Sequence, residues 1–570
     1  MSEDEFELRV GRIRSRPSGG RRTFVGQALA AAQRAGGLVR SGSGRAGAFG
    51  RGRAASLCAQ SVGARLRGAV VKARVVRQRA GRAPLATHLG YLQREGVTRD
   101  GDRGRLFDAT TDEADANGFA GRCEGDRHHF RFIISPDDSE QLSDLKAFTR
   151  DLMGQVEADL GTRLDWVAVD HWNTAHPHLH VIVRGRTDEG EDLVIAPDYI
   201  REGLRARAGR LVTLELGPRT DAELKRQTAL QIEADRWTAL DRGLARLADE
   251  QGVVDMRPAA RGSGDLQQAR LARLRKLRGL GLADEVRPGR WRVAPDAEAA
   301  LRALGQRQDV IARLHRALSE RGLESAPARF VLDGGDAPLV GRLCGRGLDD
   351  ELRGSGYAVV EGLDGCTHHV RFADLDDASD APMGGIVEVR RLEWQGRRSR
   401  LVLQVRSDLG LADQVRADGA TWLDRQLVGR APADLGEGGF ASEVRDALDA
   451  RGNCLVEAGL AQRQGRRLLF ARDLLETLRQ RELAGAAARL AHQTGLEHQG
   501  LGPEGVVAGT YRQRVTLASG RFAMIDDGLG FTLVPWRPEL ERHLGRHVDG
   551  VLTPGGGMTW SFSPKRGLGR

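Results

Sequence analysis

The stretch that most constrains the fold is DWVAVDHWNTAHPHLHVIVRG, residues 165 to 185. Trp166 to His171 and His178 to Arg184 each alternate in polarity, and a period of two places every second residue on one face of a strand. The turn-prone NTAHP between them predicts an antiparallel pair. In that pair His178 and His180 share a face, and the turn can return His171 to it. Three neutral imidazoles that converge without a carboxylate suit a divalent cation and leave positions open for a substrate oxygen. A solvated turn is the plainer reading, but four of the 14 histidines fall within ten residues here, and spacing and strand context agree with a metal.

Composition narrows the class. With 570 residues the chain has room for three or four domains at about 100–200 residues each. The five cysteines are scattered, odd in number and never paired as Cys-x-x-Cys, which argues against a disulfide framework or a structural zinc and points to a reducing cytoplasm. Acids at the N-terminus lead straight to arginines with no apolar core of a signal peptide, and no run of about 18 apolar residues occurs. No membrane insertion is expected. The net charge is +9, yet residues 1–82 hold 18 basic residues against 4 acidic ones, so the remainder is net acidic. The basic character is an N-terminal Gly/Arg-rich arm, expected to be disordered, whose natural partner is a phosphate backbone.

Along the chain, VVKARVVRQR (residues 70–79) reads as a strand with alternating basic and apolar residues. In APLATHLGYLQREG, the apolar stripe of Leu85, Leu89 and Leu92 predicts a helix with Gly96 as its cap, and Tyr91 lies off that stripe beside Arg94 and Arg99. HHFRFIISP is a strand ended by Ser135-Pro136. Residues 137–161 carry acids first, an amphipathic period and a terminal glycine, which predicts a helix packed on the sheet. EDLVIAPDYI reads as a further strand, followed by arginine-bearing helices.

Tyr-Leu-x-Arg-x-Gly at Tyr91, the strand ending in Ser-Pro, and His-x(6)-His-x-His at His171, His178 and His180 together resemble the relaxases of mobile plasmids. These belong to the HUH (His-hydrophobic-His) endonuclease superfamily. Within it the likeness is to mobilization nucleases grouped with the T-DNA border endonuclease, to MOB-P-class relaxases and to the RlxS type. The resemblance covers about residues 68–250. It implies that Tyr91 is the nucleophile, that His171, His178 and His180 hold Mg2+ or Mn2+, and that the product is a 5′-phosphotyrosyl DNA intermediate. It further implies origin-of-transfer DNA, single-stranded and duplex, as partner, with relaxosome accessory proteins and a type IV secretion coupling protein. The location implied is the bacterial cytoplasm, with passage to a recipient cell along with the DNA.

Many relatives place Asp where this chain has Asn173, and an amide cannot serve as a base. Asn173, His176 and Asp170 are candidates for supporting the ligands, although Asp170 points to the opposite strand face. Arg94, Arg99, Arg131 and Arg184 are candidates for DNA contact. His88, one helical turn before Tyr91, is a candidate base. Two other readings stay open. His176, His178 and His180 also match the motif of the histidine-triad nucleotide hydrolases, with His178 as nucleophile. The chain would otherwise be an inert DNA-binding accessory factor.

Beyond residue 250 the sequence repeats. Residues 265–293 hold leucines at helical spacing, then Gly281-Leu-Ala and a hairpin turn at Pro288-Gly289, and residues 444–470 repeat the order with Gly459-Leu-Ala and a turn at Gly465. Helices followed by a two-stranded wing suggest winged-helix-like modules. SGYAVVEGLDGCTHHVRF and SGRFAMIDDGLGFTLVPW align in turn as β-rich segments, expected to be small barrels or half-barrels. The expected fold is α+β: an arm (1–67), an HUH-type antiparallel sheet with helices (68–250), winged-helix-like modules (251–327 and 436–497) and β-barrel-like modules (328–435 and 498–570).

Overall fold

In the computed structural model of the protein, the alternation seen in the sequence builds the first sheet. The strands are β1 (Ala69–Arg77), β2 (His128–Pro136), β3 (Trp166–His171) and β4 (His178–Arg184), in the order β1-β2-β4-β3 with every neighbour antiparallel. The structure describes residues 51, 65–77, 85–94, 96–172, 177–257, 264–324, 326–334, 338–394, 397–429, 435–465, 467–501, 505–553 and 557–562. Most of the basic arm, Asn173 and His176 lie outside the described residues. The chain divides into two units, residues 1–298 and 299–570.

In the first unit the sheet has two different faces. Phe130, Phe132, Ile134, Leu179, Val181 and Val183 point to one side, where α3 (Leu145–Leu160) and α4 (Leu204–Leu216) cover them. Asp144 caps α3 by accepting from the Lys146 and Ala147 amides, and Gly161, at φ +64°, closes it in the left-handed conformation that glycine adopts without strain. Val167, Val169 and Ile182 face the other side, against α1 (Leu85–Leu92) and α2 (Ala116–Arg122). The predicted stripe of Leu85, Leu89 and Leu92 is the buried face of α1. Gly185 lets the chain leave β4 against β2: a Cβ there would sit 1.9 Å from the His128 carbonyl oxygen.

Two expectations change in this unit. EDLVIAPDYI pairs only through isolated bridges among the described residues, Ile195 with Arg51 and Asp192 with Arg186, and Pro197 and the helical turn from Tyr199 stop a longer ladder. The folded region also begins before residue 68. The buried Arg67 guanidinium binds Asp138, Glu223 and the Gly217 carbonyl, which ties the chain entering β1 to the sheet and to the helices that follow α4. Those helices are α5 (Asp221–Glu233) and α6 (Ala239–Leu247), each opened by a capping box, Thr220 with Glu223 and Thr238 with Asp241. The unit continues through β5 (Val253–Asp255), α7 (Asp265–Gly279) and the hairpin of β6 (Ala283–Arg287) and β7 (Arg290–Val293).

Helix α8 (Ala297–Ser319) leads into the second unit and to a six-stranded sheet. Its strands are β8 (Phe330–Gly334), β9 (Leu339–Asp350), β10 (Ser355–Gly362), β11 (Thr367–Phe372), β12 (Ile386–Trp394) and β13 (Arg397–Ser407), ordered β13-β12-β9-β10-β11-β8. Next come α9 (Leu411–Arg416), α10 (Trp422–Leu427), α11 (Gly439–Glu457), the hairpin of β14 (Ala461–Gln464) and β15 (Arg467–Phe470), and α12 (Leu474–Thr494). A second sheet holds β16 (Glu497–His498), β17 (Val506–Leu517), β18 (Gly520–Asp526), β19 (Gly530–Pro535), β20 (His547–Leu552) and β21 (Met558–Ser561), ordered β16-β19-β18-β17-β20-β21.

Read from its other edge, the second order repeats the first strand for strand, including the single parallel pair, β8 with β11 and β16 with β19. Neither sheet is a closed barrel. Closure would require the two outermost strands to pair with each other, and in both sheets they remain edges.

A buried polar network repeats as well. Arg273 on α7 reaches both oxygens of Asp241 and the carbonyls of Ile232, Ala234 and Arg236. Arg451 on α11 reaches both oxygens of Asp424 and the carbonyls of Val415, Ala417 and Gly419. Each aspartate also closes a capping box with a threonine, Thr238 or Thr421. All four charged side chains are buried, and this many donors and acceptors are what such an ion pair needs to persist away from water.

Candidate metal centre

The β3–β4 register sets His171 directly opposite His178 and Val169 opposite His180, so the pleat brings His171, His178 and His180 to one face. Ring centroids lie 4.5 Å apart for His171 and His180, 5.0 Å for His178 and His180, and 5.5 Å for His171 and His178. Each ring offers a nitrogen within 4.8 Å of the others, and the group could hold a metal ion. Nε2 of His178 and Nε2 of His180 are 3.2 Å apart, a separation that needs a shared proton or a shared cation. All three side chains are buried, at 0%, 7% and 4% exposure.

His171 shows which of its nitrogens is the donor atom. Its Nε2 lies 2.9 Å from the Leu92 carbonyl oxygen, which can only accept, so Nε2 carries the proton. Nδ1 then holds a lone pair, and it is buried with no hydrogen-bond partner among the described residues. A cation ligand oriented by a backbone carbonyl through its other nitrogen fits this arrangement. Burial, with the neighbouring His180 and the Arg94 guanidinium, pushes the His171 pKa down to about 2, so the ring stays neutral and able to coordinate.

Leu92 also connects the histidines to the other candidate residues. It follows Tyr91 at the end of α1, and the chain after it is tied to the end of β3 a second time, by the Trp172 amide donating to the Val97 carbonyl. Gly104 passes so close beneath this segment that a Cβ would lie 2.7 Å from Val97 Cγ2 and 3.1 Å from the Leu92 oxygen. The Arg94 guanidinium lies over the half-buried Tyr91 ring, 4.7 Å from its centroid. Its Nη1 is buried with no hydrogen-bond partner among the described residues, a cationic donor next to the imidazoles. Arg99 stacks over Trp172 at 5.0 Å, and the Trp172 indole donates to Asp170, which occupies the opposite strand face.

The same sheet face continues past the histidines. His180 stands opposite Ile133 and Ile133 opposite Lys72, while Ile182 stands opposite Arg131 and Arg131 opposite Arg74. Lys72 is exposed, and Arg74 and Arg131 are half-buried. Two arginines facing each other across antiparallel strands repel unless an anion or another partner offsets them, and Arg131 also donates to His129. Lys72 and Arg74 belong with Arg131, and their sequence signal was the alternation in VVKARVVRQR. Arg184 is placed differently: its Nε and Nη2 donate to the buried Asp126, which also accepts from Arg186 Nε.

Among the described residues the four cysteines are free, and burial pushes the Cys123 and Cys344 thiols up to about 12, which makes them poor nucleophiles. No described helix is long and apolar enough to cross a membrane.

No curated protein and no solved structure matches the chain. One family model does, described as protein of unknown function (DUF3363), over residues 270–400 and 392–569. The two matches together cover most of the repeated region and more than half of the 570 residues, and the chain belongs to this family.

Proposed function

We propose that the protein is a metal-dependent, site- and strand-specific DNA nickase of the relaxase type, acting at an origin of transfer. The observation that carries this reading is the hydrogen bond from His171 to the carbonyl of the residue after Tyr91. It couples a cation ligand to the segment that bears a phenol and an unsatisfied arginine donor. His171, through Nδ1, and His178 and His180 would hold the ion, either Mg2+ or Mn2+. Bound there, a divalent cation supplies Lewis-acid polarisation of a non-bridging phosphate oxygen.

The chain's own residues supply the remainder. Arg94 offers its buried donor to the scissile phosphate and offsets charge as the transition state forms. Tyr91 Oη attacks phosphorus, and its proton passes to water or to His88. The bond from phosphorus to the 3′ oxygen breaks, that oxygen takes a proton and leaves as a hydroxyl, and the 5′ phosphate remains as a tyrosine ester available for religation. Lys72, Arg74 and Arg131 line the adjacent sheet face and would carry the backbone of a single strand. The repeated helix–hairpin segments read as winged-helix-like modules, and accessory proteins with a coupling protein complete the proposed assembly in the cytoplasm.

The test is a denaturing gel of full-length protein incubated with Mn2+ and labelled single strands tiled across the transfer region of its host element. A protein–DNA adduct that resists boiling in detergent and disappears with Tyr91→Phe is expected. Binding without any adduct would favour an inert accessory factor. Metal-independent hydrolysis of a dinucleotide that survives Tyr91→Phe would favour a histidine-triad hydrolase.

A further inference from the structure

The two repeated segments share one frame but not one surface. Superposing Arg273 on Arg451 in sequence places Ala269 with Ala447, Leu274 with Gly452 and Leu277 with Leu455, and every member of these pairs is buried. The same chain reversal follows each helix. The Leu282 amide donates to the Leu277 carbonyl and the Leu460 amide to the Leu455 carbonyl, with Gly281 and Gly459 at φ +73° and +70°. A two-residue hairpin comes next in both. With the inner positions equivalent, the outer ones can be compared residue by residue.

The outward stripe of α7 is Gln268, Leu271, Arg275 and Arg278, and its counterpart on α11 is Asp446, Asp449, Asn453 and Val456. The first stripe carries two positive charges and the second two negative ones. Arg275 and Arg278 are exposed, and Arg278 leans over the Trp291 ring at 5.6 Å, which braces it beside the hairpin. Both hairpins expose arginines, Arg287 and Arg292 in one and Arg463 and Arg467 in the other, and the first also exposes Asp284 and Glu285, so the extra positive charge of the first copy lies on its helix.

We propose that α7 and the β6–β7 hairpin form a docking surface for duplex DNA, and that the equivalent face of α11 has lost this role since the duplication. A helix with Gln and Arg on one exposed side, next to a hairpin that exposes Arg287 and Arg292, matches a major groove flanked by phosphates. A helix bearing Asp446 and Asp449 at the same positions is repelled by that polyanion. The inference stands apart from the nickase reading, because neither the histidines nor Tyr91 enters it.

The test is fluorescence anisotropy of full-length protein with a labelled 30-base-pair duplex and with one of its single strands, over a salt series. R275E/R278E should weaken duplex binding at least tenfold and lower the log–log salt slope by about two, since each lost phosphate contact removes about 0.9. Single-strand binding and the melting temperature should hold. Unchanged duplex affinity, or an equal loss for duplex and single strand, overturns the proposal. D449A/N453A should leave duplex affinity within twofold of wild type. A tenfold loss there would overturn the assignment of this role to the first copy alone.

Discussion

His171 donates from Nε2 to the Leu92 carbonyl, 2.9 Å away, and this one bond ties the centre of the imidazole trio to the end of the helix bearing Tyr91. The proposed ligand and the proposed nucleophile, from segments some eighty residues apart, are thereby linked through a single main-chain carbonyl. The hydrogen bond also fixes the tautomer, which leaves Nδ1 as the coordinating atom.

Removing a ligand should separate cleavage from binding. His180→Ala is expected to abolish strand cleavage while single-strand affinity falls less than about threefold, because the basic residues of β1 and β2 are untouched. Gel assays for cleavage and for binding measure the two. Loss of both, with a lower melting temperature, would assign His180 to the fold.

The cation should stabilise the native protein by mass action. At one hundred times its dissociation constant, Mn2+ is expected to add about 2.7 kcal/mol, visible as a higher melting temperature that EDTA reverses. His171→Ala should cancel the increment. A metal-induced rise that persists in that variant would place the ion elsewhere.

Stability of the metal-free protein should fall on acidification. The folded-state pKa of His171 is pushed down to about 2, far below the usual value near 6.5. Below that usual value the unfolded chain takes up a proton that the folded chain refuses, so stability drops as pH falls through about 6 at up to about 1.4 kcal/mol per pH unit. His369, buried and pushed down to about 4, adds to the effect with the same sign until its own protonation. Denaturant titrations at pH 7.5 and 5 should show the loss, and His171→Asn should reduce it. A metal-free protein equally stable at both would contradict the neutral, buried imidazole.

Breaking either buried arginine network should cost about 3–5 kcal/mol, since truncating one partner leaves a buried charge uncompensated. Arg451→Ala strands Asp424, and Arg273→Ala strands Asp241. Chemical denaturation of both variants is the check, and a cost under about 1 kcal/mol would show that water reaches these sites.

What was legible in the sequence was local. Two alternating segments and a turn gave β3 and β4 and the shared face of three histidines; apolar period and a terminal glycine gave α3, which starts at Leu145 and not at Asp137, because the first acids lie in a separate short turn. Matching Gly-Leu-Ala turns disclosed the repeat. The Leu92 carbonyl was not legible, because a main-chain oxygen has no residue signature. Nothing in the sequence sets Arg273 and Arg451 apart from the other helix arginines, and the carbonyls and aspartates converging on them explain their burial. Open sheets looked like barrels because local alternation says nothing of whether outer strands meet. EDLVIAPDYI has strand-like residues, but its neighbours give it only two isolated bridges.

The most direct measurement is peptide mapping of the covalent product. Protein trapped on a cleaved strand in Mn2+ would be digested with trypsin and nuclease, and the residual nucleotide located by mass spectrometry. The account predicts a single 5′-nucleotide phosphodiester on Tyr91, absent in Tyr91→Phe. A nucleotide carried on another residue, or an adduct that forms undiminished without Tyr91, would contradict it.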